Sequence, residues 1–181
     1  MKKLLALLLV VILVFVGCAG GNGNNTSSTV YKEKITIYKV ADGGTSFYLK
    51  PVEKMIKFEQ KPTATEQMKV ALELLAEKTP STATVWSPLP ADAKVLDIKV
   101  KGDTAWVNFS DGILHNPGAG AEGEMLALCS IPLTLKQFGV NKVYILINGQ
   151  VPSEENGYID FWGHVGLYDQ PLTATGCMDT P

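Results

Sequence analysis

The residues whose side chains could do chemistry are few: three cysteines, two histidines and three tryptophans in 181 residues. His115 sits in a glycine-rich stretch near Asp111 and Glu122, and His164 follows Trp162-Gly163 close to Asp160. A zinc site needs several ligands at short spacing, and no H-x-x-x-H or C-x-x-C occurs. A hydrolase that presents its serine on a G-x-S-x-G elbow is excluded by the absence of that motif. Asp111, Glu122 and Glu124 are candidates for calcium, but their spacing does not follow the EF-hand loop, and the neighbouring glycines lack the G-K-[ST] of a phosphate cradle. The expectation is therefore no catalytic residue, no metal, no cofactor and no enzyme. What remains is contact chemistry. Trp106 and Trp162 are the candidate binding surface, because an indole offers a large apolar face to a sugar ring or a peptide. Scattered aromatics are more often core or rim residues.

The cysteines divide into one and two. Cys18 follows Met1-Lys2-Lys3, an apolar run from Leu4 to Val16, and Gly17. A positive start, a short apolar core and a small residue at the cut describe a secretory signal. The run is shorter than the roughly 20 residues that a comfortable membrane span needs. Phe15-Val16-Gly17-Cys18 resembles the lipobox of bacterial lipoproteins, with Phe15 where that pattern usually has Leu. The resemblance implies lipid on Cys18, and each buried chain CH₂ contributes about 0.8 kcal/mol, so two or three chains anchor stably. Ala19 to Thr29 (AGGNGNNTSST) holds no large apolar residue and reads as a flexible tether. The expected organisation is a signal peptide over 1–17, the lipidated cysteine and linker over 18–30, and one folded domain over 31–181 on the extracytoplasmic face of the cell membrane. Cys129 and Cys177 are then an even pair in an oxidising compartment, where a disulfide is permitted. Two separate buried thiols fit the sequence equally well.

The whole chain carries net charge −2, or −4 once Lys2 and Lys3 are removed. No block of basic residues occurs, which argues against nucleic acid as a partner.

The elements that must position these residues follow from periodicity. Lys34 to Val40 is rich in β-branched residues and reads as a strand; Phe47 to Phe58 reads as one or two extended pieces, with Pro51 pushing part of it to an edge. Met68, Ala71, Leu72 and Leu75 recur at helical spacing within Thr63 to Glu77, and Thr63 with Glu66 matches a capping box. Lys94 to Phe109 alternates as a hairpin about a Gly102-Asp103 type II′ turn, pairing Val100 with Ala105, Ile98 with Val107 and Leu96 with Phe109 on one face. Asp111 to Gly123 reads as a loop and Glu124 to Phe138 as a second helix, kinked by Pro132. Lys142 to Asn148 reads as a central strand buried on both faces, and Gly157 to His164 as a final strand. The fold class is α+β, a single mixed sheet of about 4–6 strands with two main helices packed on it.

The order of helix, SPLP turn, charged hairpin, acidic loop, helix containing Thr134-Leu135 and apolar strand ending in Asn148-Gly149 resembles the GerMN, or sporulation and spore germination, domain. Pro90 to Phe109, Glu124, Leu126, Ala127, Thr134 to Gln150 and the closing Gly163, Asp169, Pro171 and Leu172 carry it, over roughly Lys61 to Leu172. Pro132 departs from the family pattern, and the chain has room for one copy where some relatives have two. The resemblance implies a non-enzymatic role in assembling cell-envelope complexes, in sporulation or germination, with envelope proteins as partners. The alternative is a lipoprotein that binds wall polysaccharide or peptide, peptidoglycan included, through Trp106 or Trp162. A third reading, an envelope hydrolase, has only His115 or His164 to offer.

Overall fold

The computed structural model describes residues 30–80, 82–115, 120–158 and 170–178. The chain opens with two 12-residue strands, β1 (Tyr31–Asp42) and β2 (Phe47–Phe58), paired antiparallel along their whole length. Pro51 does not split β2, because β2 is the edge of its sheet. The β1 amides of Thr36 and Tyr38 point away from β2, so the amides facing β2 belong to the odd-numbered residues between them. Pro51 lies opposite Tyr38 and therefore turns its missing donor outward, where no ladder bond is lost.

Helix α1 (Ala64–Leu75) follows. Thr63 and Glu66 form the capping box: the Glu66 amide donates to Thr63 Oγ1 and the Thr63 amide to Glu66 Oε2, at 3.2 and 2.7 Å. Met68, Ala71, Leu72 and Leu75 form its buried stripe. A short strand, β3 (Val85–Trp86), then joins the free edge of β1 at Val40 and Ala41.

The hairpin of β4 (Val95–Lys101) and β5 (Thr104–Phe109) turns at Gly102, whose φ of 61° suits the first turn position. Val100 pairs with Ala105 and Ile98 with Val107, but Phe109 lies opposite Val95 rather than Leu96. A bulge between Val95 and Asp97 causes the difference. An extra residue reverses the facing of what lies beyond it, so Val95 is buried and Leu96 is 48% exposed. Val100 is also exposed, so the three expected pairs do not share a buried face.

Helix α2 (Gly120–Leu135) starts four residues before Glu124 and continues through Pro132 to a 3₁₀ turn over Lys136–Phe138. Gly139 closes it with a left-handed φ of 81°. Strand β6 (Lys142–Ile147) runs parallel to β5, and β7 (Leu172–Thr173) and the one-turn helix α3 (Ala174–Met178) end the described chain. β6 is buried on one face only: Val143, Ile145 and Ile147 point into the core while Tyr144 and Leu146 are half-buried. The second face is half-buried rather than buried, which overturns the expectation of burial on both. The expected strand over Gly157–His164 is not found at Gly157 or Tyr158, and its remainder lies outside the described residues.

The α+β class holds, but the single sheet does not. Two sheets form, β2-β1-β3 and β4-β5-β6-β7. The long hairpin brings its own apolar residues, Ile35 and Ile37, to the helices instead of extending the other sheet. One continuous core links them with Leu72 and Leu75 of α1, Leu128 and Ile131 of α2, and Val107, Phe109, Val143 and Ile147 of the second sheet.

Between Lys34 and Val40 the edge of β1 facing away from β2 is closed by side chains. Gln137 accepts from the Thr36 amide through Oε1 at 3.0 Å and donates Nε2 to the Thr36 carbonyl at 2.7 Å. Its carboxamide thus imitates one residue of a neighbouring strand. Thr134 Oγ1 accepts from the Tyr38 amide at 3.1 Å. An exposed row of unpaired amides invites strand addition, and these two side chains remove it here. Among the described residues no helix is long and apolar enough to cross a membrane.

Candidate functional site

A concavity among the described residues is built at the tip of the first hairpin. Asp42-Gly43-Gly44 reverses the chain, with the Gly44 amide donating to Asp42 Oδ1 at 2.7 Å and Gly44 at a φ of 89°. This turn opens β2 on two aromatic residues, Phe47 and Tyr48, exposed by 40% and 47%. The Phe47 amide donates to Glu122 Oε1 at 3.2 Å, tying the hairpin tip to the first turn of α2. Its ring meets Trp86 edge to face, with centroids 5.5 Å apart. Along α2, Met125, Leu126, Cys129 and Leu133 form one wall of a groove of about 400 Å³; Tyr38, Tyr48 and Leu49 form the other. Cys129 is joined to Cys177 in a disulfide, with Cα atoms 5.4 Å apart, which fastens α3 beside α2. Among the described residues, Glu122 is the one charged residue of the lining. Such a groove has the chemistry to take up an apolar side chain.

Trp106 lies elsewhere, on the second sheet. The parallel register of β5 and β6 sets it beside Tyr144, and the two rings stack with centroids 5.7 Å apart and planes 9° from parallel. Both are half-buried, and Lys99 lies opposite Trp106 on β4. Beside them Asn108 Oδ1 accepts from the Gly149 amide at 2.7 Å, fixing the Asn148-Gly149 turn, where Asn148 takes a φ of 49°. Trp162, the other expected contact residue, lies outside the described residues, as do His164 and Cys18.

His115 contacts Asp92 closely through Nδ1 and Oδ2, and both side chains are exposed. Ser110 is nearby, but its hydroxyl donates to the Asp92 carbonyl and accepts from the Lys94 amide at 3.1 Å. Its proton is thus directed to backbone rather than to an imidazole. The three line a surface hollow with Asp111. Glu122 belongs to the groove and Glu124 is fully buried within α2, so the acids that sequence spacing associated are held apart. Among the described residues no three potential ligands converge on a metal position.

Lys39 is a buried ammonium. It donates to Ser87 Oγ at 3.2 Å and lies 3.8 Å from the Glu77 carboxylate. Burial lowers its pKa most; Glu77 raises it, and Lys54 adds a smaller lowering. The network ties β1 to the segment after α1.

The groove was not anticipated from sequence. Its signal was the aromatic pair Phe47-Tyr48 directly after a Gly-Gly turn, a place where a strand normally begins on polar residues. Tyr144 and Asp92 were also missed, because their partners lie 38 and 23 residues away and nothing local marks them.

The family described as Germane, sporulation and spore germination, matches residues 36–152. The match therefore takes in most of the first hairpin, ahead of the stretch over which sequence pattern alone resembles it. The tandem GerMN domains of the sporulation protein GerM from Bacillus subtilis superpose with a TM-score of 0.57 at 23% identity, covering 87% of this chain and 49% of that one. The first GerMN domain of the same protein gives a TM-score of 0.55 at 23% identity, over 79% of this chain and 98% of that one. A Clostridium perfringens protein described as a lipoprotein gives 0.52 at 18% identity, over 80% and 89%. At these identities the likeness is one of fold, and the chain spans about half the length of the tandem structure. No curated protein matches the sequence.

Proposed function

The chain belongs to the Germane family of sporulation and spore germination domains, and from that premise we propose that it is a membrane-anchored, extracytoplasmic lipoprotein whose domain docks another envelope protein. The observation that carries the docking reading is the groove at the hairpin tip. Phe47, Tyr48 and Met125 expose apolar surface around one concavity, and the Cys129–Cys177 bond holds its α2 wall to α3. Clustered exposed apolar residues at a concave site are how interfaces are built, with aromatic and Met residues enriched. A non-enzymatic role fits a molecule whose Asp92, Ser110 and His115 hydrogen bonds run to backbone and to each other on an open surface. The anchor is supported by the leader ending in Phe15-Val16-Gly17-Cys18 and by the uncharged tether that follows.

Two experiments separate the parts. Mass spectrometry of the membrane-extracted protein is expected to find diacylglycerol on Cys18, and Cys18→Ser is expected to release the chain from the membrane fraction. Wild type without lipid ends the anchor reading. Tyr48→Asp with Met125→Glu is expected to abolish the protein's sporulation or envelope phenotype while leaving the melting temperature within about 2 °C. Full activity of that variant ends the docking reading.

A second reading rests on Trp106 and Tyr144. Two stacked, half-buried rings side by side on one sheet face suit a sugar ring or a peptide of the cell wall. Trp106→Ala is then expected to lose binding to solubilised muropeptides measured by calorimetry. Unchanged heats, or none with wild type, remove it.

A further inference from the structure

Charge is divided unevenly along the mature chain. Residues 30–61 carry seven lysines against four acids, net +3; residues 62–181 carry seven lysines against fourteen acids, net −7. The positive part is the first hairpin. Its register sorts the charges further. Directly opposed residues of an antiparallel pair share a face, and residues two apart along a strand share it too. Lys32 therefore faces the same way as Lys34, Met55 and Lys57, with Lys32 directly opposite Lys57 and Lys34 opposite Met55. Like charges placed opposite each other weaken a sheet, so this hairpin keeps a pair that costs stability in the free protein. Two acids share that end of the face: Glu53 pairs with Lys34 at 2.9 Å, both mostly exposed, and exposed Glu59 follows Lys57 by two residues, just past the end of β2.

Neither the groove nor the Asp92–His115 hollow is lined by Lys32, Lys34 or Lys57. In the middle of the face stands Met55, 61% exposed, with Val30 49% exposed at the end of the strand. This is also the end at which the tether of residues 18–29 enters the domain, preceded by the apolar run of the leader.

We propose that this root face of the β1–β2 hairpin, formed by Lys32, Lys34, Met55 and Lys57, rests on an anionic lipid surface. Three ammonium groups on one face of the strand pair meet a layer of phosphates, and long lysine stems let the charges reach headgroups while Met55 meets the acyl boundary. The net −7 of the remaining chain is repelled by the same layer, which favours contact through the hairpin. The binding is independent of the lipid on Cys18, although the tether explains why this end is the nearer one.

The test uses the full mature chain, residues 18–181, carrying Cys18→Ser so that no acyl group holds it. Cosedimentation with phosphatidylglycerol vesicles at low salt is expected, with none on phosphatidylcholine vesicles and release at 0.5 M salt, roughly where screening falls to a few ångströms. Each lysine near such a surface is worth about fivefold in partitioning, so K32Q/K57Q is expected to weaken binding about thirtyfold. The same variant is expected to melt no lower than wild type, because it removes the opposed like charges. K99Q/K101Q on β4 is the control and is expected to bind like wild type. Equal binding to both vesicle types overturns the proposal. So does a K32Q/K57Q loss of less than twofold, or an equal loss in the control. If soluble poly(glycerol phosphate) binds while phosphatidylglycerol vesicles do not, the face belongs to a wall polymer and the lipid assignment is wrong. A lipid-free Cys18 in cells, with vesicle binding intact, removes the anchor reading and leaves this one standing.

Discussion

Closing the β1 edge with Thr134 and Gln137 makes a prediction in which burial decides the magnitude. Both side chains satisfy β1 backbone groups: Thr134 accepts from the Tyr38 amide, and Gln137 accepts from the Thr36 amide and donates to the Thr36 carbonyl. Counting bonds alone ranks Gln137 first. Exposure reverses the order. Thr134 is fully buried, so in Thr134→Val, which keeps the shape and removes the hydroxyl, the Tyr38 amide loses its acceptor where water has poor access. An unsatisfied buried donor costs about 1–3 kcal/mol. Gln137 is exposed, so in Gln137→Ala water replaces the carboxamide at Thr36 and the cost stays at about 0.5–1.5 kcal/mol. For a domain of this size roughly 2–4 °C accompanies each kcal/mol. Thr134→Val is therefore expected to melt about 2–12 °C below wild type and Gln137→Ala about 1–6 °C, with Thr134→Val the lower of the two. Calorimetry measures both, and amide exchange resolves the cause: Tyr38 should exchange faster in Thr134→Val, Thr36 in Gln137→Ala. A neutral Thr134→Val, or a Gln137→Ala that costs more, refutes the argument that burial governs this edge.

Three further outcomes are expected. The Cys129–Cys177 bond closes a loop of sequence separation 48, which loop-closure entropy values at about 4 kcal/mol; the C129A/C177A variant should melt lower, reductant should lower wild type to match it, and two free thiols per folded wild-type chain would contradict the bond. A Cβ on Gly112 would lie 2.1 Å from the Asp92 carbonyl oxygen, so Gly112→Ala should destabilise by about 1–3 kcal/mol in urea melts and separate His115 from Asp92, which a crystal structure of the variant checks. Lys39 has its pKa lowered by burial, so the unfolded chain binds more protons between that value and the ordinary lysine value of about 10.4, and stability should rise with pH across that window; the rise should be absent from Lys39→Met, and equal slopes in the two proteins would contradict it.

Much of the fold was legible because it rests on local rules. The Met68, Ala71, Leu72, Leu75 stripe and the Thr63–Glu66 box are contained within one element, and the Gly102 turn fixes the pairs nearest to it. What failed lay further from such local signals. The bulge after Val95 shifted the hairpin by one residue, and alternation carries no mark of where an extra residue enters. Two sheets were read as one because strand pairing is a long-range property: β3 is two residues long and joins β1 across 45 residues. The site was less legible still. Trp106 stood out by its type, yet its partner Tyr144 comes from a parallel neighbour that only the crossover through α2 supplies. The lysine face escaped notice because alternation spreads Lys32, Lys34, Met55 and Lys57 over two strands, so no basic block appears in the sequence. Thr134 and Gln137, within the segment that resembles the family, proved to close a strand edge.

The groove is the part of the account on which the docking role depends. A photo-reactive amino acid placed at Met125, and separately at exposed Leu96 on the second sheet, tests it in intact cells of the parent organism during envelope assembly. The account predicts one discrete covalent adduct from position 125 that disappears in the Tyr48→Asp background, and none from position 96. No adduct at 125, or the same adducts from both positions, would contradict it.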